Sequence, residues 1–330
     1  MKKTKKDKIS VITTFYNAEK FVLEAINSIN QQEVIKDKFD LECIIVDDKS
    51  EDNSRKLVEA FLNKEGNPDI EYKIIEPEQN LGCGGARKFG IDHASGDFFM
   101  FLDADDYYMK KDFVKRAYET LKSEKADVVE FGMIMNQAGG NQVNNTVPNK
   151  ITIENNPDGA VIALFKDNLI KFNVWTKIYR RKIVESFPYS TVRKYEDVRT
   201  IPVWMSNAKK IVIMPTPEIN YRAAGGSIIR SDMVDTRIGT ITAIAELFPR
   251  FKHNYQVLKS MYIRSMVDLE AILHNHSSKD NGFNEMSRLN TYMLSFLLKN
   301  YKDVTFHIED DVQQNTIDKS PQENLKNVKL

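Results

Sequence analysis

Leu41-Glu42-Cys43-Ile44-Ile45-Val46-Asp47-Asp48-Lys49-Ser50 is a short, nearly continuous apolar run that stops abruptly at two aspartates. A strand buried on both faces reads this way, and such strands belong to parallel sheets covered by helices. Upstream, Ile9-Ser10-Val11-Ile12 is a β-branched strand, and 18–31 reads as a helix with Phe21, Val22, Ala25, Ile26 and Ile29 on one stripe. Downstream, Asp52 stands where it would cap a helix carrying Leu57, Val58, Phe61 and Leu62. Strands over 70–75, 98–102 and 126–133 then alternate with helices over 84–94 and 112–124. Strand alternating with helix at this spacing predicts an α/β fold with a mostly parallel sheet. In such sheets ligands bind beyond the carboxyl ends of the strands.

The rest of the chain is less regular. The Asn- and Gly-rich stretch 137–150 reads as a loop, 158–166 as a helix, and 173–179 as extended. Residues 211–221 read as a strand pair interrupted by Pro215 and Pro217. From Asp235 onward the pattern is helical, over 238–248, 255–273 and 286–298, and the polar stretch 308–330 reads as a loose tail.

Composition narrows the function. Lys+Arg and Asp+Glu balance at 47 each, which argues against a nucleic-acid partner. The two cysteines, Cys43 and Cys83, are too few for a disulfide framework and read as reduced thiols. No apolar run is long enough for a membrane span, and the expectation is a soluble, cytoplasmic protein. The basic start Met1-Lys2-Lys3-Thr4-Lys5-Lys6 has no apolar partner; a solvated tail fits it better than peripheral contact with the inner face of a membrane.

The chemistry lies after the strands. Asp47 and Asp48 follow the second, and Asp103-Ala104-Asp105-Asp106 follows Phe98-Phe99-Met100-Phe101-Leu102. Acidic side chains crowded on one sheet edge repel unless a cation or a donor-rich ligand relieves them. A hard divalent ion shared with substrate phosphates is the natural occupant. Asp105 or Asp106 capping the next helix is the simpler alternative. Gly82-Cys83-Gly84-Gly85-Ala86-Arg87 has Arg where a dinucleotide fingerprint needs its last glycine. His93 and His274-Asn275-His276 read as solvated helix-end residues rather than metal ligands.

Several motifs in order carry a resemblance to a known family. They are Ile9 through Glu19; Val46-Asp47-Asp48 through Ser54; Asn80-Leu81-Gly82 through Arg87 with Gly90; Phe101 through Asp106; Trp175-Thr176-Lys177; Tyr195-Glu196-Asp197; and Tyr221-Arg222 with Gly226-Ser227. Together they resemble family 2 glycosyltransferases with the GT-A fold, over about residues 8–230.

The resemblance implies a catalytic unit over 1–232, with a nucleotide-sugar half at about 8–135 and an acceptor half at 136–232. A helical region over 233–307 and a flexible tail over 308–330 would follow. It implies an inverting enzyme moving a sugar from a UDP-sugar donor to a hydroxyl of a glycan or cell-surface polymer acceptor. Thr14, Phe15, Tyr16, Glu19, Asp48, Asn80, Gly82, Arg87, Asp103, Ala104 and Asp105 would bind the nucleotide sugar. Asp48 would accept from the uracil imide, Asp103 would face the ribose, and Asp105 would hold Mn2+ or Mg2+ as the metal ligand. Asp197, beside Glu196, would be the general base; Trp175, Lys177 and Arg222 would shape the sugar and acceptor region. The helix dipole at Asp197 would lower its pKa, whereas a base works best near the operating pH; burial on substrate binding could offset that.

The chain departs from the family pattern at several points. Thr14 stands where Pro is usual and Phe15 where Thr is common, while Lys88 replaces a frequent Asn. Tyr221-Arg222-Ala223-Ala224-Gly225-Gly226-Ser227 lacks the histidine that many relatives use as a second metal ligand. Either the metal rests on Asp105, phosphates and water, or Arg222 or Arg230 reaches the diphosphate. A non-catalytic nucleotide-sugar or glycan-binding module on the same fold is the alternative, disfavoured by the intact acidic motifs. A nucleotidyltransferase would need a basic glycine-rich loop where Thr14-Phe15-Tyr16-Asn17 stands. Phe248, Phe251, Tyr255 and Tyr262 could extend an acceptor surface or form a homo-oligomer contact through the C-terminal helices.

Overall fold

The computed structural model describes residues 6–136, 142–222, 233–275 and 281–301. The first five residues, the 223–227 stretch, Arg230, His276 and the tail over 308–330 lie outside the described residues. The first ten elements are β1 (Asp7–Phe15), α1 (Val22–Asn30), β2 (Phe39–Asp47), α2 (Ser54–Glu65), β3 (Ile70–Ile75), α3 (Gly82–His93), β4 (Phe98–Asp103), β5 (Tyr107–Tyr108), α4 (Phe113–Ser123) and β6 (Val128–Asn136). After them come β7 (Gln142–Asn145), β8 (Ile151–Glu154), α5 (Pro157–Phe165), a 3-10 turn (Val174–Thr176), β9 (Lys177–Arg180), α6 (Arg181–Val184), α7 (Glu196–Asn207) and β10 (Lys210–Arg222). Three helices close the described chain: α8 (Met233–Leu247), α9 (Tyr255–Asn275) and α10 (Asn281–Asn300).

One sheet runs β3-β2-β1-β4-β9-β6-β10-β5, with β7 on β6 and β8 on β10. The first four of these strands are parallel, in keeping with the long apolar runs of β2 and β4, and β10 is parallel to β6, whereas β9 runs antiparallel between β4 and β6. Ile9, Val11, Ile44, Ile45, Phe99 and Phe101 are sealed from solvent in the sheet centre. The register sets Phe15 opposite Asp47 and Thr14 opposite Asp103, so three strand ends meet at one edge. Strand β6 spans residue 135, so the stretches before and after that expected boundary share this sheet.

Several elements differ from the sequence reading. The first helix starts at Val22, not Ala18: residues 19–21 form a turn, and the Ala18 amide donates to Ser54 Oγ at 2.8 Å. Asn53, not Asp52, holds the cap position of α2; the Asp52 carboxylate accepts from the Ser54 amide at 2.9 Å. The stretch read as loop over 137–150 contains β7, which pairs antiparallel with β6. Pro215 and Pro217 do not split 211–221 into two strands: β10 runs through them, its register slipping between Ile213 and Ile219. Proline cannot donate to a ladder, and an irregularity in the pairing absorbs the missing donors. Asp105 and Asp106 do not begin a helix; β5 follows them, and α4 starts at Phe113.

The C-terminal helices form part of the core. Ile241, Ile244, Phe248, Leu258, Met261 and Tyr262 are buried there, and Phe251 and Tyr255 pack partly buried against them. Phe248 and Tyr262 are therefore interior residues and not free for an acceptor surface or a subunit contact. Among the described residues, no helix is long and apolar enough to cross a membrane.

Candidate active site

The first two loops beyond the strand ends are laced together by side chains. Asn17, in the left-handed region at φ 49°, accepts from the Glu51 and Asp52 amides at 2.8 and 3.3 Å. Glu19 accepts from the Asn53 amide at 3.3 Å, and its own amide donates to Asp52 at 3.1 Å. Thr14 is half-buried, Phe15 is buried and Tyr16 stands 49% exposed above the edge. The Phe15 carbonyl accepts from the Asp48 amide at 2.9 Å. Asp47 is buried and braces the turn, its carboxylate accepting from the Ser50 amide at 2.9 Å.

Asp48 is the centre of a tight turn-on-turn contact. Its carboxylate accepts from the Leu81 amide at 2.7 Å and the Gly82 amide at 2.8 Å, and its carbonyl accepts from Asn80 Nδ2 at 2.7 Å. Gly82 adopts φ +72°, a conformation that a side chain would strain. Burial holds the Asp48 carboxyl above its ordinary pKa, although these two amides and Arg193 pull it down. Arg193, a residue not singled out in the sequence, donates to Asn80 Oδ1 at 2.9 Å and to the Asn80 carbonyl at 3.1 Å. Asn80 and Arg193 are 113 positions apart, and no local pattern announces such a pair.

The acidic tip after β4 gathers three carboxylates. Asp103, Asp105 and Asp106 bring oxygens within 4.8 Å of one another, beside the buried Ala104. Burial and then the Asp103 charge raise Asp105 to about 6 and Asp106 to about 9. Asp106 accepts from the Arg222 amide at 2.8 Å with one oxygen, while its other oxygen is buried without a partner. Crowded, desolvated carboxylates with an orphaned oxygen are a donor set suited to a hard divalent ion. The Arg222 guanidinium is paired with Glu24 and lies over the rings of Phe21 and Tyr107 at 5.1 and 5.4 Å.

Arg87 joins this tip to the later half of the chain. Buried on α3, it donates to Asp103 at 2.5 Å, to Glu196 through its other terminal nitrogen, and to the Tyr189 hydroxyl at 3.2 Å. The sequence reading put Arg87 near the nucleotide; in the fold it is a buried bridge between two carboxylates. Asp197 follows Glu196 in the first turn of α7 and accepts from the Val198 amide at 2.8 Å. Burial, reinforced by the Glu196 charge and opposed by Arg87, raises Asp197 to about 7. Burial in the fold thus acts against the lowering expected from its place at a helix start.

The acceptor-side residues sit deeper than the sequence suggested. Trp175 is buried and stacks on Tyr221 with ring centroids 5.5 Å apart. Lys177 is sealed inside, donating to the carbonyls of Lys171 and Asn173 at 2.7 and 2.8 Å and to Thr176 Oγ1 at 2.9 Å, with Glu130 3.5 Å away. It is a strut for the turn that carries Trp175 and does not line an open surface. Nothing in a Trp-Thr-Lys run distinguishes a buried lysine from an exposed one.

The chain resembles known proteins along most of this architecture. The family model described as "Glycosyl transferase family 2" matches residues 10–187, more than half of the chain. The poly(ribitol-phosphate) beta-N-acetylglucosaminyltransferase TarS of Staphylococcus aureus is 29% identical over 219 residues, covering 65% of this chain and 35% of that protein. This chain thus spans about a third of the length of that relative. Glycosyltransferase GlyG of Streptococcus pneumoniae is 26% identical over 231 residues, covering 68% of this chain and 73% of that protein. Among solved structures, residues 1–349 of S. aureus TarS in complex with UDP-GlcNAc align with a TM-score of 0.57 at 20% identity, covering 93% of this chain and 92% of that one. A mannosyltransferase from Pyrobaculum calidifontis in complex with GDP-Man and Mn2+ aligns with a TM-score of 0.53 at 16% identity, covering 92% and 89%. With the family model spanning the motifs and the architecture shared with these structures, the chain belongs to glycosyl transferase family 2 and has the GT-A fold.

Proposed function

We propose that the protein is an inverting glycosyltransferase that moves a sugar from a UDP-sugar to a hydroxyl of a cell-surface polymer or glycan. The donor class is supported by the solved complexes of TarS with UDP and UDP-GlcNAc, and the acceptor class by the poly(ribitol-phosphate) specificity in the names of two relatives. The base-binding turn would be that of Asp48, Asn80 and Gly82, with the loop Thr14-Phe15-Tyr16 and Glu19 beside it. Each Asp48 oxygen accepts one amide and keeps a lone pair for the uracil imide. Asp103 would face the ribose.

Mn2+ or Mg2+ would be held by Asp105, with Asp103 and Asp106 beside it, and would stabilise charge on the departing diphosphate. In the transfer itself, Asp197 takes the proton from the acceptor hydroxyl as its oxygen bonds to the anomeric carbon. The bond from that carbon to the diphosphate breaks, and its electron pair leaves with UDP. Attack from the face opposite the leaving group inverts the anomeric centre, as in inverting glycosidases. Trp175 and Tyr221 would form the wall beside the sugar.

The observation that carries this reading is the Asp197 carboxyl. It follows Glu196 at the start of α7, and Arg87 ties Glu196 to Asp103 of the acidic tip; burial also raises this carboxyl, to about 7. A base poised near the operating pH is what proton abstraction requires. The test is UDP release from a panel of UDP-sugars, with and without Mn2+, comparing wild type with Asp197→Asn. The variant is expected to keep its affinity for UDP and to lose at least about a thousandfold in transfer. Full transfer by Asp197→Asn would remove it from the base role.

A further inference from the structure

The start of α7 is held by an unusual residue. Tyr195, at the position before Glu196, has φ 61° and ψ 30°, the left-handed conformation that a bulky side chain rarely adopts. Strain of this kind persists only where the surroundings over-determine it, and it clusters at functional sites. The surroundings here are on helix α8. A Cβ built on Gly239 would lie 1.9, 2.3 and 2.6 Å from three atoms of the Tyr195 ring, so the ring rests directly on the helix backbone. Only glycine leaves room for it.

A second tie lies on the same face of α8, two turns further on. Arg199 of α7 donates to Glu246 through Nε at 2.6 Å and Nη2 at 3.0 Å. Its remaining nitrogen donates to the Tyr195 carbonyl at 3.2 Å. Residues 239 and 246 are seven apart, which places both anchors on one stripe of the helix. The peptide that leads into Glu196 and Asp197 is thus fixed from the C-terminal helical region at both its ring and its carbonyl.

We infer that Tyr195 is a positioning residue: wedged on Gly239, it lets helix α8 set where the Asp197 carboxylate stands in the cleft. This rests on the reading of Asp197 as the base. It gives the C-terminal helices a part in transfer without any contact with donor or acceptor. The proposed donor contacts, at Asp48 and the acidic tip, touch neither the Tyr195 ring nor Gly239; they meet this region through Arg193 on Asn80 and through Arg87 between Asp103 and Glu196.

The test compares Gly239→Ala, Tyr195→Gly and the double variant with wild type and Asp197→Asn. It reads turnover with the UDP-sugar that the donor panel selects, the KM for that donor, and the affinity for UDP with Mn2+. A methyl at position 239 must displace the ring, so Gly239→Ala should lose about a hundredfold in kcat with donor KM and UDP affinity within about twofold. Tyr195→Gly accepts the left-handed conformation but loses the wedge, and should lose about tenfold in kcat with UDP affinity kept. In the double variant the methyl meets no ring, so its kcat should equal that of Tyr195→Gly rather than the product of both losses.

A wild-type kcat in Gly239→Ala, with Asp197→Asn inactive, overturns the positioning role and leaves the base assignment standing. Transfer by Asp197→Asn removes the base assignment, and the positioning role falls with it. If Gly239→Ala no longer binds UDP, Tyr195→Gly decides alone: a wild-type kcat, or a loss of UDP affinity as large as the loss of kcat, overturns the proposal.

Discussion

Arg87 and Asp103, on the third helix and the fourth strand, form an ion pair at 2.5 Å, and the same guanidinium reaches Glu196 on α7. The acidic tip after β4 and the start of α7, which carries Asp197, are therefore joined through one buried cation. A buried charge is tolerated only when paired and hydrogen-bonded, and this one has two carboxylates and the Tyr189 hydroxyl.

Removing that cation strands its partners. Arg87→Met should destabilise the fold by about 3 kcal/mol, because Glu196 and the largely buried Asp103 would be left without compensation. Urea denaturation of the two proteins measures it, and equal midpoints would show that the bridge carries no net stability.

The rate should follow the charge on Asp197. A base must be unprotonated, and this carboxyl is raised to about 7 by burial and by Glu196. Turnover is expected to rise about tenfold per pH unit below that value and to level above it. A profile flat from pH 5 to 8 would contradict a base with this pKa.

Stability should run the other way. Asp105 at about 6, Asp197 at about 7 and Asp106 at about 9 all bind protons more tightly folded than unfolded. The folded state then holds the extra protons, so stability without metal falls as pH rises from about 4 through 9. A divalent ion at the acidic tip replaces the protons on Asp105 and Asp106, and the rise in Tm on adding Mn2+ should grow with pH. Asp105→Ala should abolish the Mn2+-dependent part of UDP affinity in calorimetric titrations; unchanged metal dependence would place the ion elsewhere.

Lys177 separates a strut from a surface. Lys177→Met leaves Glu130 buried without its cation and should cost about 3 kcal/mol of stability, with UDP affinity retained. Denaturation and UDP titration on the same preparation test it, and an unaltered unfolding midpoint would refute the strut.

What the sequence determined by itself was the frame. Apolar runs of strand length, each ending in acid, place Asp48 and the Asp103–Asp106 group on one edge, because the chain order of strands and helices restricts a parallel sheet to a few topologies. Prolines misled it at 215 and 217, since a bulge accommodates in one strand what would otherwise end it.

Burial and pairing were decided only in three dimensions. Arg87 as a bridge, Arg193 on Asn80, Lys177 sealed in the interior and Tyr195 on Gly239 all depend on neighbours from distant parts of the fold. The Asp197 carboxyl makes the point most directly. Its place at a helix start argued for a lowered pKa, yet desolvation by packed side chains raised it. Periodicity is a property of neighbours in the chain, whereas the dielectric around a charge is set by whatever the fold packs against it.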